Sequence, residues 1–157
     1  MTRLRTVDAV QRKRANLERR AELLRAVRSF FAARGFLEVE TPVRLRAPLP
    51  ERHIDAVPAD HLWLATSAEP HMEQLLAAGC DRIVQISKCF RRGELGARHH
   101  PEFTMLEWYR AQADYRTLAD DARALLCAVS AAVCGATTVV YQRSQIDLTA
   151  PWEWLSV

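Results

Sequence analysis

Residues 90–110 read FRRGELGARHHPEFTMLEWYR, and this stretch decides the fold. The apolar run Ile83–Phe90 leads into it. Two arginines and a glutamate close that run, a charged turn with paired histidines follows, and a second run opens at Pro101. Two such runs joined by a polar loop predict a pair of antiparallel strands. Strand side chains alternate between faces with period two. Phe103, Met105, Glu107 and Tyr109 therefore share one face, and Glu102, Thr104, Leu106 and Trp108 share the other. A ring, a thioether, a carboxylate and a phenol in line make a poor core. They suit a pocket that stacks a flat ring at one end and holds an ammonium group at the other.

Outward from this pair, the apolar residues Leu17, Ala21, Leu24, Val27 and Phe31 recur at three- and four-residue steps. That spacing predicts a helix over about 10–34, with Gly35 as its stop. FLEVE at 36–40 alternates like a strand and ends at Thr41-Pro42. Prolines 48, 50 and 58 mark a loop over about 44–60. LWLAT at 62–66 reads as a short buried strand. Ser67 reads as the N-cap of a helix carrying Met72, Leu75 and Leu76, which ends at Gly79. Asp114 caps a last long helix that stops at Gly135. Residues 137–141 and 154–157 read as short strands. This order lacks regular strand–helix alternation, so the expectation is α+β: an antiparallel sheet flanked by helices.

The chain has 157 residues, 49% of them hydrophobic and 26% charged, the profile of one globular domain. No apolar run approaches the roughly 18–20 residues that cross a bilayer. The N-terminus has charges but no apolar stretch after them, so no secretory signal is expected. Cys80, Cys89, Cys127 and Cys134 form no CxxC pair and no metal-ligand spacing, which fits reduced thiols in the cytoplasm. The net charge of +3 conceals an asymmetry. Residues 1–28 hold nine basic and three acidic side chains, and the remainder is net acidic. The first helix is either a solvated basic face or a surface for an acidic partner or RNA.

The chemistry follows from the residue types. Arg91, at the end of the first strand, has a planar, bidentate cation suited to bridging a carboxylate and a phosphate. Phe103 can stack on a base. Arg98, His99 and His100 lie on the loop where a triphosphate could rest, and Glu107 and Tyr109 can fix an ammonium. Attack of a carboxylate on an α-phosphate needs no protein nucleophile, only positioning and charge neutralisation. Each residue also has a plainer reading: Arg91 and Arg92 as a strand end, Phe103 and Met105 as core, Glu69 as a charge at a helix start. The paired histidines lack a third ligand at sensible spacing, so no metal site is expected.

The whole stretch closely resembles motif 2 of class II aminoacyl-tRNA synthetases of the lysine type. GFLEVETP at 35–42 resembles motif 1, and motif 2 spans about 83–110. With SAEPHMEQLLAAG at 67–79, the run PEFTMLEWYR is most similar to the GenX/PoxA proteins. These are lysyl-tRNA synthetase paralogues that attach a lysine, by preference (R)-β-lysine, to a lysine of elongation factor P. The resemblance implies a class II synthetase-like catalytic core, ATP-dependent ligase activity, ATP with Mg²⁺, and a homodimer formed through motif 1. It implies Arg91 as the catalytic residue. It implies contacts to ATP from Arg91, Arg92, Gly93, Glu94, His99, His100 and Phe103. Ser67, Ala68, Glu69, Glu107 and Tyr109 would hold lysine or (R)-β-lysine.

Some positions depart from the family pattern. Ala68 stands where many members have proline, Gly93 where some carry the motif 2 glutamate, and His100 where an asparagine is expected. Fewer than 35 residues precede motif 1, too few for an anticodon-binding barrel, so tRNA selection is not expected. Motif 3, with the acidic Mg²⁺ ligands, is missing, and the expectation is the front half of such a ligase, inactive alone. The alternatives are a non-catalytic dimerisation or ligand-binding module and a piece of a lysyl-tRNA synthetase.

Overall fold

The computed structural model describes residue 11 and residues 13–155. They form two compact units: residues 34–113, and the segments on either side of them. In chain order the elements are helix α1 (Arg14–Ala32), strands β1 (Leu37–Glu38), β2 (Arg44–Leu45), β3 (Pro58–Ala59) and β4 (Leu62–Leu64), and helix α2 (Glu69–Ala77). Strands β5 (Arg82–Phe90) and β6 (Glu102–Arg110), helix α3 (Tyr115–Cys134), and strands β7 (Thr138–Tyr141) and β8 (Ser144–Asp147) follow. The fold is α+β.

The centre of the 34–113 unit is a three-stranded sheet in the order β1-β5-β6. Strands β5 and β6 pair antiparallel along their whole length, with Ile83 opposite Tyr109, Gln85 opposite Glu107, Ser87 opposite Met105 and Cys89 opposite Phe103. Opposed residues share a face, so the alternating set read from sequence lies on one surface. The strand expected over 36–40 is shorter and runs parallel to β5, with Leu37 opposite Ile83. The central sheet is therefore mixed rather than wholly antiparallel. A parallel neighbour needs a long crossover, and the chain from Thr41 to Asp81 supplies it. Within that crossover, residues expected as loop form β2 and β3, and these flank β4, which falls in the strand expected at 62–66, in a second small sheet of order β2-β4-β3.

Helix α2 packs on β5 and β6. Its Met72 is fully buried in a cluster with Ala68 and Ile83, against which Val39, Leu75, Leu76, Cys80 and Tyr109 pack. The helix starts one residue later than expected. Ala68 occupies the N-cap position and makes no side-chain cap, because its methyl cannot accept. Ser67 Oγ instead accepts from the Glu69 amide at 3.0 Å.

In the other unit, α1 buries Val27, Phe30 and Phe31, the two rings meeting edge to face at 5.2 Å. Phe30 lies off the stripe read from sequence, while Leu17, on it, is 57% exposed. The start expected near residue 10 lies outside the described residues. Helix α3 packs on α1. Asp114 Oδ1 accepts from the Thr117 amide at 2.9 Å, and Gly135 closes the helix at φ +70°, the left-handed conformation glycine adopts without cost. Strand β7 pairs antiparallel with β8, an unforeseen strand. Trp154 and Leu155 are not in a strand, and residues 156–157 lie outside the described set.

Candidate active site

The site is built on the shared face of β5 and β6. From Phe103 to Glu107 is four residues, about 13 Å at a strand rise of about 3.3 Å per residue. Arg91 and Phe103 stand at one end. The Arg91 Cζ lies 5.2 Å from the centre of the Phe103 ring, a cation–π contact. Arg91 Nε donates to the Thr66 carbonyl at 3.3 Å, and its Nη1 lies 4.0 Å from Glu94 Oε1. One edge of the guanidinium is thus held by backbone while its face rests on the ring. Thr66 is buried, and its hydroxyl has no partner among the described residues.

At the other end, Glu107 is tied to the segment leading into α2. Ser67 Oγ donates to Glu107 Oε1 at 2.8 Å, and the Ala68 amide donates to Oε2 at 2.9 Å. Tyr109 stands two residues further along the face. Burial, then the charges of Glu107, Glu69 and Glu73, raise its phenol above the ordinary tyrosine range, because each disfavours phenolate. Glu69 and Glu73 are one helical turn apart on α2 and exposed. Glu73 is the acidic residue that sequence reading missed; its i,i+4 relation to Glu69 was the available signal. Three carboxylates thus act on one hydroxyl at this end. Among the described residues, no group of three His, Cys, Asp or Glu side chains could hold a metal ion.

At the Phe103 end, Cys89 is fully buried opposite that residue. Burial first, then Glu107, raises its thiol pKa. Gln85, also buried, donates from Nε2 to Thr41 Oγ1 at 3.0 Å. That bond ties the end of the GFLEVETP segment to the strand facing Glu107.

The structure gathers Ser67, Ala68, Glu69, Glu107 and Tyr109 at one end and Arg91, Glu94 and Phe103 at the other. The remaining loop residues are not gathered with them. Arg91 N donates to the Pro101 carbonyl at 2.9 Å and closes the loop base. Gly93 takes φ +79°, a conformation that a glutamate at this position would adopt only with strain. Arg92 is directed to Asp55, with its amide on the Asp55 carbonyl at 2.7 Å. Arg98, His99 and His100 are exposed, and the Gly96 amide donates to the His99 carbonyl.

The family described as tRNA synthetases class II (D, K and N) matches residues 2–157. An elongation factor P--(R)-beta-lysine ligase of Haemophilus influenzae is 45% identical over 121 residues, 71% of this chain and 38% of that protein. One from Vibrio cholerae is 42% identical over 145 residues, covering 85% of this chain and 44% of that protein. A lysine--tRNA ligase of Moorella thermoacetica is 38% identical over 145 residues, covering 88% of this chain and 29% of that protein. The chain thus spans less than half the length of these curated relatives. Matched from residue 2 to residue 157, and aligned with lysine ligases of both kinds, this chain belongs to the class II tRNA synthetases of the D, K and N type.

Proposed function

We propose that this chain carries one wall of a site that activates lysine or (R)-β-lysine with ATP and passes it to a lysine of elongation factor P. The observation that carries this reading is the two-ended face of β5 and β6: Arg91 on Phe103 at one end, Glu107 beside Tyr109 at the other. The greater identity to the elongation factor P ligases, 41–45% against 36–38% for the lysine--tRNA ligases, favours the protein acceptor.

In this reading the amino-acid carboxylate attacks the α-phosphorus of ATP. The new C–O–P link forms as the α–β phosphoanhydride breaks, and pyrophosphate leaves. The acceptor's ε-amine then attacks the carbonyl carbon, AMP leaves with the C–O bond electrons, and the ammonium proton passes to solvent. Arg91 neutralises and aligns the carboxylate and α-phosphate, and Phe103 stacks on adenine. Glu94 and Gly93 shape the turn beside Arg91, and Arg92, His99 and His100 supply exposed donors for the phosphates. Glu69, Glu107 and Tyr109 receive the ammonium groups. Mg²⁺, when bound, would shield phosphate charge; among the described residues no group of three His, Cys, Asp or Glu side chains could hold it. A homodimer would form through residues 35–42.

ATP–pyrophosphate exchange with lysine and with (R)-β-lysine tests the reading. In the complete enzyme, Arg91→Ala should lower exchange at least about 100-fold, a loss of about 2.7 kcal/mol, with the melting temperature retained. Exchange within threefold of the parent would sink the role given to Arg91. Glu107→Gln should weaken amino-acid binding more than ATP binding. The second reading is a lysine--tRNA ligase, which relatives of that name at 36–38% identity support. Supplying tRNA or elongation factor P as acceptor separates the two.

A further inference from the structure

The hydrogen bonds of Ser67 join it to Glu107 and leave its hydroxyl no proton to give a substrate. A serine hydroxyl has one proton to donate. Ser67 gives it to Glu107 Oε1 and accepts the Glu69 amide on the same oxygen. The residue is only 5% exposed. The next amide, of Ala68, holds the other carboxylate oxygen of Glu107. Two donors from one short segment, on two different oxygens, fix the plane of a carboxylate 40 residues away. That terminal torsion is otherwise broad and two-fold. An ionised carboxylate has about four lone-pair positions, so two remain for a ligand.

We propose that Ser67 is a positioning residue: with the Ala68 amide it clamps Glu107 in one orientation, so that the remaining lone pairs meet a substrate ammonium, and it does not touch the substrate itself. This rests on the reading of Glu107 as the ammonium acceptor and adds a residue that acts only through it. A pre-set carboxylate binds an amine without spending binding energy on its own ordering. The plainer alternative is that Ser67 only satisfies the start of α2. That predicts lost stability with no ligand-specific effect.

A double-mutant cycle on the 157-residue chain tests this, with Ser67→Ala and Glu107→Gln alone and combined. Calorimetric titration reads the affinities for lysine, (R)-β-lysine and ATP. Ser67→Ala should weaken both amino acids about tenfold and leave ATP unchanged. Added to Glu107→Gln, it should change amino-acid affinity less than about twofold, and Ser67→Thr should restore most of the loss. Independent, multiplying losses would mean that Ser67 contacts the ligand and would overturn the proposal. A lower melting temperature with unchanged affinity would overturn it too, leaving only a helix-start role. A parent chain that bound neither amino acid would remove the ammonium reading. The clamp would then be judged by the ligand-free melting temperatures: coupled losses uphold it, additive losses overturn it.

Discussion

Tyr109 concentrates the electrostatics of the candidate site in one titratable group. Its phenol is desolvated and faces Glu107, Glu69 and Glu73, and all four influences favour the neutral form. The unfolded chain would ionise a tyrosine near pH 10. A raised folded value means that stability from this group is complete below that pH and is lost as pH rises beyond it. With Tyr115 and Tyr141 replaced by phenylalanine, phenolate absorbance should appear only above the ordinary range. Glu107→Gln should shift that midpoint downward by removing a negative charge. An unmoved midpoint would separate Glu107 from Tyr109 electrostatically. Arg91 shows the same dependence on surroundings. Its cation is half-buried, edge-held by Thr66 and stacked on Phe103, so it is oriented before any ligand arrives.

The elements differ in how far short-range chemistry accounts for them. Strands β5 and β6 follow directly from alternation, and the Asp114 and Gly135 ends of α3 follow from capping geometry. Helix α2 depends on packing. Replacing the fully buried Met72 by alanine should cost about 2–5 kcal/mol, whereas Leu17→Ala on α1, at an exposed position, should stay within about 0.5 kcal/mol. Chemical denaturation of both variants measures the contrast. The β7–β8 hairpin escaped the sequence reading for a specific reason. Its two-residue turn, Gln142-Arg143, has both residues at positive φ, +49° and +71°. Such turns are recognised by Asn-Gly or Asp-Gly, and Gln-Arg hides the signal. Arg143→Gly should therefore raise the stability of the hairpin by about 1 kcal/mol; a lower melting temperature would count against strain at that turn. Strand β8 itself is exposed throughout and carries no core pattern.

Over the whole molecule, strand β1 forms one edge of the central sheet, and its Leu37 is 58% exposed. An edge strand with a bare leucine invites pairing. If residues 35–42 form a dimer, Leu37→Glu should shift sedimentation toward monomer without unfolding the chain. An unchanged distribution would exclude that edge as the interface. No described helix is long and apolar enough to cross a membrane. The candidate site is divided among segments distant in sequence: Thr66 to Glu69, Arg91 to Glu94, and Phe103 to Tyr109. The last two segments were legible because they belong to one hairpin, whose faces alternate with period two. The first entered through its resemblance to a family, and its hydrogen bonds to Glu107 were not foreseen.

By itself the sequence determined what is local. The face shared by Phe103, Met105, Glu107 and Tyr109, the cap at Asp114 and the stop at Gly135 all follow from backbone periodicity and conformational preference within a few residues. The tertiary structure alone decided that β1 runs parallel to β5, that Arg91 rests on Phe103, and that Ser67 and Ala68 grip Glu107. Those contacts join residues about 12 to 46 positions apart. Closing such loops costs entropy that local preference does not repay, and the burial of Met72, Ala68 and Ile83 between α2 and the sheet helps to offset it.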